Sequence, residues 1–263
     1  MKARAASSPL AELVLGTGLI RLGRAWGVAG QGPLSAADGR RFVEGAIAAG
    51  VSYFDTAPAY GESEQILGSV LAGLSGPERA RLTIATKVGE HWVPDAQATM
   101  VDHSPGAVRA SIERSLALLG RVDVLQVHKA SAELLAGDMV APMIDIMRSY
   151  GIACLGVSVS DMEAFRHARE LGVFTHFQMP YNKESRGMER AIASVGSDRR
   201  GVVVVNRPLA MGALAREGSD AVASAFAWLR ARLPAGIILT GTANLKHLAM
   251  NARALQDSRP SAS

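Results

Sequence analysis

Cysteine is all but missing from this chain: its 263 residues contain one, Cys154. That count excludes an internal disulfide framework and a Cys-rich zinc site, and Cys154 reads as a small side chain buried in a strand. Long apolar runs are missing as well. The longest purely aliphatic stretches, such as Val202–Val205, fall far short of the ~20 residues needed to cross a bilayer. No stripe of Lys and Arg occurs either. The 28 basic residues are spread among 24 acidic ones, and the densest group, Arg199-Arg200, reads as a solvated loop. Nucleic acid is therefore not an expected partner, although a net charge of +4 suits a small polyanion such as a dinucleotide phosphate. The opening Met1-Lys2-Ala3-Arg4-Ala5-Ala6-Ser7-Ser8 has no apolar h-region, so the expectation is a cytoplasmic protein.

What is present is apolar mass. Hydrophobic residues make up 48% of the chain and mean hydropathy is +0.14, enough to offset the entropy of ordering it. Short aliphatic runs alternate with longer helical patterns, which predicts βα units around a parallel sheet. Strands are expected over Glu12–Thr17, Val51–Asp55, Leu82–Lys87, Val122–His128, Ile152–Ser158, Phe174–Gln178, Gly201–Asn206 and Gly236–Thr240. Helices are expected over Ala36–Ala49, Glu62–Leu74, Pro105–Leu119, Ala132–Tyr150, Asp161–Leu171, Glu184–Val195, Ser219–Leu233 and Ala243–Leu255. Ser104-Pro105 and Ser160-Asp161 with Glu163 look like capped starts. Gly50, Gly120, Gly151 and Gly172 stand where a left-handed residue closes a helix. Eight strands alternating with eight helices predict a closed (β/α)8 (TIM) barrel of the α/β class. The prediction is one domain over residues 1–263, with flexible tails at 1–10 and 256–263. An open doubly wound sheet fits less well, because Leu15-Gly16-Thr17-Gly18-Leu19-Ile20 lacks the third glycine of G-x-G-x-x-G.

In such a barrel the carboxyl ends of the strands share one mouth, where sites are built. Here those ends carry Asp55, Lys87 and His128, each after an apolar run, and Tyr60 lies in the turn Thr56-Ala57-Pro58-Ala59-Tyr60-Gly61. Taken singly, each has an ordinary structural reading: a capping aspartate, a solvated lysine, a core histidine, a surface tyrosine. Four complementary groups converging on one face are harder to dismiss, because catalytic sites collect such groups.

At these residues the chain resembles the aldo-keto reductase family. The resemblance is carried by Gly50-Val51-Ser52-Tyr53-Phe54-Asp55-Thr56-Ala57-Pro58-Ala59-Tyr60-Gly61-Glu62-Ser63-Glu64. It continues in order through Thr86-Lys87, Val127-His128, Gly156-Val157-Ser158, Gln178-Met179-Pro180-Tyr181-Asn182, Pro208-Leu209-Ala210-Met211-Gly212 and Gly241-Thr242-Ala243-Asn244. The resemblance implies reversible, metal-free, NADPH-linked reduction of a small aldehyde or ketone, with NADH also open, by a monomer. It makes Tyr60 the general acid, with Lys87 expected to lower its pKa. Asp55 would hold Lys87, and His128 would donate, as a neutral ring, to the carbonyl oxygen.

The resemblance also maps a cofactor groove. Gly18, Arg207, Pro208, Leu209, Gly241 and Thr242 would line it, and Ser158 and Gln178 would hold the nicotinamide carboxamide. Val159 stands where the family usually has Asn, and Asn206 where many members have a stacking aromatic. Asn244 and the free N–H groups at the start of the last helix would favour an anion. Lys246 and His247 would meet the 2′-phosphate and Asn251 the adenine, with Met250 in place of the family's usual acidic neighbour. Trp26 and Trp92 are expected to wall the substrate pocket. Only eight residues follow Leu255, from which an open mouth and broad selection are expected. Two alternatives stay open on sequence grounds: a non-catalytic NADP(H)-binding barrel that senses or binds a partner, and a sugar or polyol dehydrogenase running the same residues in the oxidative direction.

Overall fold

Strands that are apolar on both faces close into a parallel barrel because every face must be covered, inside by side chains and outside by helices. The computed structural model describes residues 10, 12–28, 30–198 and 201–259. Its strands are β1 (Leu13–Gly18), β2 (Tyr53–Asp55), β3 (Thr83–Val88), β4 (Glu90–Val93), β5 (Ala98–Val101), β6 (Val124–Val127), β7 (Cys154–Ser158), β8 (His176–Pro180), β9 (Val202–Asn206) and β10 (Gly236–Thr240). Eight of them form a closed barrel in the order β1-β10-β9-β8-β7-β6-β3-β2. Closure comes from β1, which pairs in parallel with β10 from Leu13↔Gly236 to Thr17↔Thr240 and with β2 from Gly16↔Tyr53 to Gly18↔Asp55. The α/β barrel read from the sequence is the fold.

Alternation along each strand divides the core in two. Tyr53, Ala85, Val124, Cys154, Val202, Val204, Ile237 and Leu239 fill the interior. Phe54, Ile84, Leu125, Leu155, Phe177 and Val203 face the surrounding helices. Ser104 caps the helix Pro105–Leu119, and Asp161, rather than Ser160, caps Met162–Glu170 by accepting from Ala164 N–H at 2.8 Å. Gly50, Gly120, Gly151 and Gly172 all adopt positive φ.

The structure corrects several boundaries. The helix expected over Ala132–Tyr150 is two, Ala132–Ala136 and Val140–Ser149, with Gly137 extended between them. The helix expected from Glu184 starts at Glu189, because Asn182 Oδ1 accepts from the N–H groups of Glu184 and Ser185 and holds them in a turn. The antiparallel β4–β5 hairpin and the short helix Gly76–Ala80, closed by a Ser75/Glu78 capping box, were not anticipated. The last helix runs over Leu245–Asp257 and Arg259 pairs with Glu12 at 2.6 Å, so residues 256–259 finish that helix and its closing turn. Leu10 packs against the interior cluster. The rest of the expected tails, 1–9 and 260–263, and the Arg199-Arg200 pair lie outside the described residues.

One contact sets the turn that carries Tyr60. The helix Ile20–Gly23 ends against the backbone of that turn, and a Cβ on Gly23 would sit 2.1 Å from the Tyr60 carbonyl oxygen. A Cβ on Gly61, at φ 61, would sit 2.5 Å from the Gly23 carbonyl oxygen, and Arg24 Nη1 donates to the Ala59 carbonyl at 3.0 Å. Only glycine permits two backbones this near. Gly23→Ala is expected to lower stability by on the order of 1–3 kcal/mol, read as a reduced urea midpoint; an unchanged midpoint would mean that the turn yields freely.

A second test concerns His176, buried in β8 beside Gly156. Burial pulls its imidazole down from 6.5 to about 4. As pH falls the unfolded chain therefore takes up the proton first, and stability is lost between pH ~6.5 and ~4, by about 3 kcal/mol, and levels off below. Urea unfolding of His176→Gln is expected to show that much less loss across the window.

Candidate active site

β2, β3 and β6 each deliver one charged or titratable group to the mouth: Asp55 ends β2, Lys87 lies near the end of β3 and His128 follows β6. Lys87 is completely buried. An ammonium without water must be paired and hydrogen-bonded, and this one is. Its Nζ donates to Asp55 Oδ1 at 2.5 Å and to the Thr56 carbonyl at 2.9 Å. The second carboxylate oxygen of Asp55 accepts from Gln126 Nε2 at 3.0 Å and from Gln178 Nε2 at 2.9 Å.

Tyr60 closes over this pair. Lys87 Nζ stands 4.9 Å from the centroid of its ring, and His128 meets the ring edge-on at 5.9 Å. The expected depression of the phenol pKa is not what results. Burial raises it, and although Lys87 pulls it down, burial outweighs that pull. Burial works against the Lys87 charge too, but the attraction of Asp55 and Tyr60 prevails and its pKa is raised. His128 is lowered by burial first and by Lys87 second, with Glu90 opposing. The four groups expected at the mouth are thus brought together.

Three functional neighbours were not foreseen. Gly23 is one, described above. Gln126 is another; its signal was a lone amide in the apolar run Val122–Val127, two residues before His128 and so on the same face. Glu90 is the third. It opens β4, is almost fully buried, accepts from Lys129 Nζ at 2.6 Å through Oε1, and places Oε2 3.0 Å from His128 Nδ1. Burial would raise its pKa, but His128, Lys129 and Thr99 hold it well below the ordinary carboxylate range.

The expected groove residues line the same end of the barrel. Gly18 pairs in register with Asp55, and Ser158 with Gln178. Val159 is buried, and Pro208 and Leu209 follow Arg207 in the turn after β9. Arg207, at φ 54, lies 5.7 Å over the Trp26 ring, and Trp26 borders Gly241. Val28 N–H donates to the Met211 carbonyl at 3.1 Å, so the loops after β1 and β9 meet. Trp92 instead sits beneath the Arg24 guanidinium at 4.6 Å on the hairpin. Trp26 thus lies against Arg207, and Trp92 against Arg24 of the loop that also carries Trp26.

At the last helix one expectation is corrected. Asn244 Oδ1 accepts from the N–H groups of Lys246 and His247, so those donors are taken internally. Thr242 Oγ1 accepts from Asn244 N–H, and the side chains of Lys246 and His247 are exposed. Among the described residues, the buried acceptors Asn206 Oδ1 and Asn251 Oδ1 have no partner. Unanswered buried acceptors call for a donor, and a dinucleotide laid along this groove carries donors in its amide and amino groups. These acceptors fit such a cofactor.

Comparison with known proteins agrees with this geometry. Residues 14–249 match the Aldo/keto reductase family. Aldo-keto reductase YhdN of Bacillus subtilis is 26% identical over 177 residues, 65% of this chain and 52% of its own length. A Glycine max protein named for the same family is 25% identical over 71% of this chain and 54% of its own. This chain thus spans about half the length of these curated relatives. A Pseudomonas aeruginosa structure assigned to the aldo-keto reductases is 27% identical with a TM-score of 0.77, covering 93% of this chain and 89% of that one. A Klebsiella pneumoniae aldo/keto reductase, solved with NADP and acetate, shares the fold at 22% identity and a TM-score of 0.69 over 92% and 85% of the two chains. With these four side chains in place and the match running through nearly every barrel strand, this chain belongs to the aldo/keto reductase family.

Proposed function

We propose that this protein reduces aldehydes or ketones to alcohols with NADPH, Tyr60 being the proton donor. The observation that carries the reading is the fully buried Lys87–Asp55 ion pair directly beneath Tyr60. A charge kept dry at such cost has little structural return, since apolar residues of like volume stabilise as well or better. It is well placed to act on a phenol. When bound, the reduced dinucleotide supplies the hydride.

As hydride adds to the carbonyl carbon, charge grows on its oxygen, and Tyr60 passes its proton there. Because burial raises the phenol, the proton stays on Tyr60 until that charge develops. Lys87 then stabilises the phenolate left behind, and Asp55, braced by Gln126 and Gln178, keeps the ammonium in place. His128 hydrogen-bonds the same oxygen. On the cofactor side, Ser158 and the carbonyl end of Gln178 would hold the carboxamide, since the Gln178 amide nitrogen is committed to Asp55. Arg207 answers the pyrophosphate, Lys246 and His247 the 2′-phosphate, and Asn251 the adenine amino group. NADPH is preferred over NADH on the strength of the Lys246 ammonium and the neighbouring His247 ring.

Oxidation of NADPH followed at 340 nm against aldehydes, diketones and sugars tests the reading. Consumption of none of them despite tight binding would point to a nucleotide-binding barrel. Turnover only with polyols and NADP+ would reverse the direction. Tyr60→Phe is expected to cut kcat by about 10²–10⁴ while leaving the NADPH dissociation constant within about twofold. Wild-type turnover in that variant would remove Tyr60 from its role.

A further inference from the structure

The carboxylate behind His128 is outside the tetrad, and it decides what the imidazole can do. Glu90 is nearly without solvent; its Oε1 accepts from Lys129 Nζ at 2.6 Å, and its Oε2 lies 3.0 Å from His128 Nδ1, a buried nitrogen that makes no hydrogen bond among the described residues. A bare ring nitrogen facing a carboxylate oxygen at that distance sets lone pair against lone pair; a proton on Nδ1 turns the contact into attraction. A neutral histidine has one N–H. With the proton on Nδ1, its Nε2 is an acceptor.

We propose that Glu90 is a positioning residue that fixes the His128 proton on Nδ1, so that Nε2 donates to a carbonyl oxygen only when the ring is doubly protonated. This rests on the carbonyl-reducing reading above and corrects its sequence-derived form, in which a neutral His128 donates. A carbonyl oxygen offers only lone pairs and so binds the imidazolium. An alcohol offers a hydrogen and so binds the neutral ring. Binding of the carbonyl draws one proton from solvent onto Nε2, and release of the alcohol returns it. The proton consumed in the reaction is the one that Tyr60 gives to the new alkoxide, while the hydride's electron pair forms the C–H bond.

The groups facing the ring set where it titrates. Lys87 on β3 opposes its charging, whereas Glu90 on the hairpin and Asp55 on β2 favour it. The Tyr60 ring stands nearly perpendicular to it at 5.9 Å, Lys129 follows it in the chain, and His103 Nε2 bonds its carbonyl at 2.9 Å. Burial keeps the ring neutral in the free protein near neutral pH, so carbonyl reduction is expected to weaken as pH rises.

Two measurements decide. Long-range 1H–15N correlation of the histidine rings, in the wild-type protein with and without NADPH, is expected to show His128 protonated on Nδ1 and bare on Nε2; the signal is assigned by its loss in His128→Asn. A wild-type ring protonated on Nε2 overturns the proposal. In steady-state assays, kcat/KM for the carbonyl is expected to fall by up to about tenfold per pH unit above the ring's titration. Glu90→Gln is expected to flatten that limb between pH 6 and 8, because its amide can donate to a bare Nδ1 and free the neutral ring to donate through Nε2. An identical limb in both proteins overturns the proposal. The NMR result needs no turnover, so inactivity toward every carbonyl would fell the reductase reading while the tautomer still decides the role of Glu90.

Discussion

A single dry ammonium organises the mouth of this barrel. Lys87 has no access to solvent, and removing such a charge from water costs several kcal/mol unless close partners replace the hydration shell. The replacement comes from three other strands. Asp55 on β2 takes the proton-bearing nitrogen of Lys87 on β3, while Gln126 on β6 and Gln178 on β8 converge on the other carboxylate oxygen. The same bonds that keep the charge tolerable tie together half the barrel's strands at one end. Stability and chemistry meet in one hydrogen-bonded cluster, and loss of any partner leaves a buried charge incompletely answered.

The barrel was legible because its signals are local. Buried parallel strands read as unbroken aliphatic runs, as in Val202-Val203-Val204-Val205, and glycines at helix ends and capping residues punctuate the helices between them. The β4–β5 hairpin gave no such signal. Glu90-His91-Trp92-Val93 and Ala98-Thr99-Met100-Val101 are short, mixed in polarity and half-buried to exposed outside Glu90, so neither stands out against loop sequence. The break after Ala136 and the late start at Glu189 turn on one glycine and one asparagine side chain, whose local bonds overrode helical periodicity.

The candidate site shows the same division. Asp55, Lys87 and His128 could be found because strand ends in a barrel share a mouth, and Tyr60 because of the motif around it. The pKa directions could not, since burial is a property of the assembled cavity: the same lysine that pulls the phenol down is outweighed by the walls around it. Glu90 was illegible for a related reason. Its importance comes from a hairpin folding back against the loop after β6, a contact between segments nearly 40 residues apart.

Gln178 illustrates a constraint that follows from such sharing. Its amide nitrogen supports Asp55, while its backbone carbonyl accepts from Val159 N–H, at the position where family members commonly place asparagine. A lineage that exchanged this glutamine to suit another coenzyme would disturb the lysine's counter-ion in the same step. Replacement at neighbouring positions such as 159 and 206 would leave the ion pair's own bonds untouched.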